Sequence, residues 1–236
     1  DFVLEIAEQV MNELAVRHSV LRTQYGFNGQ TAYQFVRQDW RIQVTKLDLC
    51  SIENAAQDLR LNEEINQFFS ETFVLHDQPP IKVHFVQLAA KQGALLFNLH
   101  HIAADAWSLG ILMREFVLCY VARKNNKPPK LAPLQIQYSD FAYWQRSHLN
   151  SDALAKQLAY WQTQLQDLPS IHNLPLDRAR PDKLSQQGAS YSLPLAGDLV
   201  IKLENIVQDS QVSMYMLLHA ALVLLISKLS NQRDVV

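Results

Sequence analysis

An α/β or α+β fold with a mixed sheet is predicted for this 236-residue chain. Apolar residues recur at helical spacing in several segments, and short β-prone runs bounded by turn residues lie between them. No internal repeat breaks the alternation. Phe2, Ile6, Val10 and Leu14 put one apolar face on a helix over residues 1 to about 16. Residues 20–25 and 32–36 flank a glycine- and asparagine-containing turn and read as a hairpin, and 42–49 continues the strands. A surface helix follows over 53–71, then strands over 81–88 and 94–99. The second of these is almost wholly apolar, as a strand buried on both faces should be.

Leu109, Leu112, Phe116 and Tyr120 share one side of a helix over about 107–123. Three prolines mark 125–133 as a loop, and two polar-apolar helices follow over 139–149 and 152–165. Residues 169–188 hold prolines and charges without a period, so they are taken as an interlobe linker between a lobe over 1–168 and the start of another over 189–236. In that second part 189–195 reads as a strand, and 199–207 and 213–229 read as helices. The apolar run over 214–229 is interrupted by His219 and Lys228. It is shorter than the ~20 residues of a bilayer span, so it is expected to be a buried core helix. Asp1 stands where a methionine would begin a chain, and Val235-Val236 resembles a strand start, so both ends look cut from something longer.

Composition narrows the function. Hydrophobic residues make up 48% and charged residues 19%, an ordinary balance for a folded protein. The formal net charge is −2 without a basic stripe, which disfavours nucleic acid as a partner. Cys50 and Cys119 lack metal-ligand spacing and suggest no disulfide framework, so no metal is expected and a reducing cytoplasm fits. No signal peptide or membrane span is seen.

The segment Asn98-Leu99-His100-His101-Ile102-Ala103-Ala104-Asp105-Ala106-Trp107-Ser108 is where chemistry concentrates. An apolar strand runs into two histidines, then a short loop and a helix start. Alternation along a strand would send His100 and His101 in opposite directions, one into a cleft and one inward. An imidazole titrates near neutral pH and can take a proton from an attacking amine or thiol. The same residues also fit a buried histidine pair with Asp105 as a plain helix N-cap. On the residues alone both readings stand.

His100-His101-xxx-Asp105 followed by Ala106-Trp107-Ser108 resembles the HHxxxDG signature of nonribosomal peptide synthetase condensation domains. Arg17-His18-Ser19-Val20-Leu21-Arg22-Thr23 is similar to that family's RHxxLRT segment. Phe73-Val74-Leu75 with Pro79-Pro80-Ile81 resembles its FDL…PLLR stretch, with valine for the usual aspartate. Tyr138-Ser139-Asp140-Phe141-Ala142-x-Trp144-Gln145 is close to YxDYAxWQ. Trp161 and Leu174-Pro175-Leu176-Asp177-Arg178-x-Arg180-Pro181 resemble the YW…LP.DRPRP run. Five segments in the family's order carry the resemblance over essentially the whole chain, about half of a condensation domain.

The resemblance implies a two-lobed fold like chloramphenicol acetyltransferase, with the second lobe incomplete in this chain. It implies peptide-bond formation between an upstream carrier-bound acyl or peptidyl thioester and a downstream carrier-bound aminoacyl amine. Upstream and downstream peptidyl carrier domains and an adjacent adenylation domain would be partners. No cofactor is expected to bind directly, since phosphopantetheine arrives on the carriers. His101 maps onto the central histidine, with His100 and Asp105 at supporting positions. Asp105 is expected to hold the loop through an arginine, Arg22 first and Arg17 second. Ala106 replaces the family's glycine and could cost a strained backbone, while Trp107, Ser108 and both histidines favour retained activity. Trp144, Trp161 and Tyr138 are expected to be packing aromatics, and Arg178 and Arg180 linker charges. Competing functions are a coenzyme A-dependent acyltransferase of the same superfamily and a non-catalytic carrier-docking module. Epimerisation and heterocyclisation relatives fit the signature less well.

Overall fold

The computed structural model describes residues 2–149, 152–168, 171, 173–183, 185 and 188–235. It divides into two compact units, Asp1–Ser151 and Asp152–Val236.

The first unit opens with helix α1 (Leu4–Arg17), whose Ala7, Val10, Met11, Leu14 and Ala15 are buried. Glu5 in the first turn and Arg17 in the last complement the helix dipole. A 3-10 turn (Ser19–Arg22) leads into the antiparallel hairpin β1 (Thr23–Asn28) and β2 (Thr31–Val36), with Thr23 opposite Val36 and Asn28 opposite Thr31. Gly29 closes that hairpin at φ +61°, a conformation glycine adopts without strain.

Next come β3 (Val44–Asp48), helix α2 (Asn54–Ser70), β4 (Ile81–Ala89) and β5 (Gln92–Leu99). They form a sheet of order β3-β4-β5. The pair β3/β4 is parallel, with α2 as the crossover, and β4/β5 is antiparallel. The sheet is mixed, as the sequence predicts. Helices α3 (Ala106–Lys124) and α4 (Tyr138–Leu149) complete the unit.

The core lies where α1 and α3 meet the sheet. Val10, Met11 and Leu14 pack with Ile81, Val83 and Phe116 in one cluster of buried residues. Each such side chain, fully buried, contributes about 1.5–3 kcal/mol. Polar clasps fix α1 against the entry to β3. Asn12 donates from Nδ2 to the Ile42 carbonyl and accepts the Ile42 N–H at Oδ1, while Glu8 accepts the Val44 N–H. Burial differs from expectation on the sheet. Strand β4 carries most of the buried positions, whereas β5, at the sheet edge among the described residues, is exposed at Gln92 and Gly93 and half-buried beyond them apart from Asn98.

The second unit contains α5 (Asp152–Gln164), α6 (Gly197–Asp209) and α7 (Met214–Ser230). Ser213 caps α7 by accepting the Met216 N–H at 3.2 Å. Of the expected linker, residues 169, 170, 172, 184, 186 and 187 lie outside the described residues, as do Asp1 and Val236. Two expectations fail here. Residues 189–195 form no strand, since no neighbouring ladder pairs with them among the described residues. Helix α7 is not buried: Leu218, Leu222, Leu225 and Leu229 are exposed, and within its unit it packs on α6. No single described helix is long and apolar enough to cross a membrane. The α6–α7 pair passes that test only together, bent by 105°.

Candidate active site

Strand β5 ends at Leu99, and the chain turns through His100 before α3 begins. Two backbone bonds set this turn. The His100 N–H reaches the Pro80 carbonyl at 3.0 Å, and the Ala103 N–H reaches the His100 carbonyl at 2.9 Å. The His100 ring then tightens it, with Nδ1 accepting the Ile102 N–H at 3.0 Å. Its ring also meets Phe73 edge-on at 5.7 Å. His100 is thereby spent on local structure.

His101 goes elsewhere. It is exposed and lines a pocket of about 340 Å³. Val20, Leu21, Leu99, Ile111 and Leu112 give the pocket apolar walls, and His18, His101, Asp105, Ser108 and Tyr138 bring polar groups to it. An apolar cavity of that size with a few convergent polar groups is the usual form of a small-ligand site.

Asp105 caps α3. Its Oδ1 accepts the Ser108 N–H at 2.8 Å and the Ser108 hydroxyl at 2.6 Å. These bonds, the hydroxyl's first, hold its carboxyl below the ordinary aspartate range. Neither arginine expected to pair with it does so. Arg22 donates instead to the Ala15 and Arg37 carbonyls and to Gln38 Oε1, and Arg17 pairs with Glu115. A cap satisfied within one helical turn does not need a distant cation.

Ala106 opens α3 and is not among the described non-glycine residues with positive φ, so the alanine is unstrained. Neither Ala106 nor Trp107 lines the pocket, and Trp107 is 82% exposed. The aromatics expected to pack are not buried in the core. Tyr138 is half-exposed and lines the His101 pocket, while Trp144 and Trp161 are each 55% exposed. Along α4, Tyr138 meets Phe141 and Phe141 meets Trp144 with tilted rings, and Trp144 stacks on His148, none of them entering the core.

Sequence reasoning missed one group entirely. Glu115 on α3 is only 7% exposed and accepts three hydrogen bonds. Arg17 donates from Nε to Oε2 at 3.1 Å and from Nη2 to Oε1 at 3.2 Å, and His18 Nε2 lies 2.6 Å from Oε2. Burial disfavours its charge, but the bonds from Arg17 and His18 outweigh that and hold its carboxyl below the ordinary range. The available signal was a glutamate on the Leu112–Phe116 face of an apolar helix. Gln137 fixes the same corner: it donates to the Arg17 carbonyl and accepts the Ser19 N–H and hydroxyl, which sets α4 and Tyr138 beside the turn.

Comparisons agree with this architecture. The Condensation domain family matches residues 1–236. Malpibaldin synthetase of Mortierella alpina is 33% identical over 234 residues, covering 99% of this chain and 4% of that protein. Bacitracin synthase 2 of Bacillus licheniformis is 32% identical over 232 residues, 98% of this chain and 8% of that protein. Among solved structures, the X-domain from teicoplanin biosynthesis superposes with a TM-score of 0.83 at 26% identity, covering 97% of this chain and 50% of that one. The same X-domain is also solved in complex with OxyB. The epimerization domain from the third module of tyrocidine synthetase B shares the fold, with a TM-score of 0.82 at 23% identity over 98% of this chain and 52% of that one. The chain therefore spans a small part of these curated relatives and about half of these two solved domains. With a mixed sheet that delivers two histidines to a turn beside a pocket, and a family match over its whole length, this chain belongs to the condensation domains of nonribosomal peptide synthetases.

Proposed function

We propose that this chain works in peptide-bond formation between two carrier-bound substrates, with His101 at the reacting centre. The amine of the downstream aminoacyl group attacks the carbonyl carbon of the upstream thioester. A C–N bond forms and the C–S bond breaks. The proton lost by the amine ends on the departing thiol, and the lengthened peptide stays on the downstream carrier. Phosphopantetheine enters as the arm of each carrier, and an adenylation domain would load the downstream one.

The observation that carries this reading is an exposed imidazole on the wall of a mostly apolar pocket of about 340 Å³. His101 orients the amine and stabilises the tetrahedral intermediate. An α-amine has an ordinary pKa of about 7.7–8.0, so much of it is neutral near pH 8 and proton abstraction is a smaller share of the barrier. His100 and the Asp105–Ser108 cap hold the turn that presents His101. The test uses full-length protein with separately loaded upstream and downstream carriers, read by mass spectrometry. Dipeptidyl product on the downstream carrier is expected. Turnover of acyl-coenzyme A and free amine without carriers would replace this reading with the acyltransferase one.

A second reading is a recruitment module with a silent site. It is favoured by the likeness to the teicoplanin X-domain, which is also solved in complex with OxyB. Product formation that is unchanged in His101→Ala would support it.

A further inference from the structure

We propose that His18 is a second substrate-contacting imidazole of the His101 pocket, its Nδ1 accepting a hydrogen bond from the acceptor amine and Glu115 fixing the tautomer that allows it. The inference rests on the condensation reading above and adds a residue and a substrate contact to it.

His18 and His101 line the same pocket from different elements, His18 from the junction of α1 with the 3-10 turn and His101 from the turn after β5. The His18 backbone is held on both sides. Its N–H bonds the Leu14 carbonyl at 2.7 Å, and its carbonyl accepts the Leu21 N–H at 3.0 Å. Gln137 pins the neighbouring Arg17 carbonyl and Ser19 N–H.

The ring is held as firmly. Glu115 is buried, and its charge is supported by the two-pronged contact with Arg17. An ionised carboxylate only accepts, so the 2.6 Å contact with His18 requires a hydrogen on Nε2. In the neutral ring that leaves the lone pair on Nδ1, which has no hydrogen-bond partner among the described residues. A thioester carbonyl can only accept and gains nothing from such a lone pair. An amine can donate to it. The arrangement therefore selects the acceptor substrate, while Arg17 and Glu115 act as positioning residues through His18.

Two substitutions separate this role from simple support of Glu115. His18→Gln reaches towards Glu115 as Nε2 does but offers nothing at the Nδ1 position. His18→Asn places an amide oxygen near the Nδ1 position but abandons Glu115. In full-length protein with loaded carriers, His18→Gln should lower kcat/KM for the aminoacyl carrier by about ten- to a hundredfold, the range of one hydrogen bond to a charged or polarised group. Its KM for the upstream acyl carrier should stay the same. His18→Asn should be less stable yet keep more of the amine-side rate. The reverse order, or equal losses on both substrates, overturns the proposal. Imidazole nitrogen-15 spectra of the wild type provide an arm that does not depend on variant folding. The His18 resonances should show protonated Nε2, and a shift at Nδ1 on addition of an aminoacyl-pantetheine amide. No shift overturns the proposal. If the wild type forms no dipeptide, the condensation reading itself fails. If it does, and His18→Gln is unimpaired, only this inference fails.

Discussion

Removing the Glu115 carboxylate probes how the site is tied into the core. Glu115 is 7% exposed, and its partners Arg17 and His18 have side chains 19% and 21% exposed. Deleting one member of a fully buried ion pair costs about 3–5 kcal/mol, and exposed pairs contribute about 0–1 kcal/mol. Here the acceptor is buried while the donors can reach some water, so Glu115→Ala should cost about 2–3 kcal/mol. With a urea slope of about 2 kcal/mol/M, the midpoint should fall by roughly 1–1.5 M at constant slope. Glu115→Gln keeps the shape and one accepting oxygen and should lose less. The pH dependence gives the sign. Because the folded carboxyl lies below its ordinary value of 4.5, its contribution is full above that pH and fades as pH falls through the folded value. The gap between wild type and Glu115→Gln should therefore hold from pH 7 to about 5 and narrow below pH 4. A midpoint shift under about 0.2 M for Glu115→Ala would refute the claim that this carboxylate clasps α1 to α3.

Three further outcomes are expected. Gly93→Ala would place a methyl 2.6 Å from the Phe85 ring and 2.8 Å from the Val86 carbonyl, so it should cost about 1–3 kcal/mol in chemical denaturation, and a neutral result would contradict that close approach. Met11→Ala should cost about 2–5 kcal/mol, because Met11 is fully buried between α1 and its neighbours; a loss under about 1 kcal/mol would show the cavity collapsing. Asp105→Ala and Arg22→Met should be additive in activity and in unfolding midpoint, since the cap and the arginine do not touch. Measurable coupling in that double-mutant cycle would revive the ion pair expected from the sequence.

Much of this was readable before the structure. The helical spacing of Val10 and Leu14 and the runs that became β4 and β5 encode local geometry and lie close to their expected bounds, while the hairpin forms with its first strand three residues later than expected, at Thr23–Asn28, because residues 19–22 take up a 3-10 turn. The two histidines were legible because their position after an apolar strand is a local feature too. What the sequence hid depended on distant partners. A carboxylate four residues past His101 fits a cap as well as an ion pair, and only the positions of Arg17 and Arg22 decide between them. Glu115 lies about a hundred positions from Arg17 and His18, so no spacing rule joins them. The apolar run of α7 was read as a core helix because it is interrupted and too short to span a bilayer. Composition states a need for burial without naming what provides it, and in this structure those leucines are exposed.

The most direct test of the central claim is the single-turnover rate of peptide formation with preloaded carriers, comparing wild type with His101→Ala in the full-length protein. If His101 orients the amine and stabilises the tetrahedral intermediate, the rate falls by about 10²–10³ while the urea midpoint is unchanged, because the side chain is exposed. A rate within twofold of wild type contradicts the account.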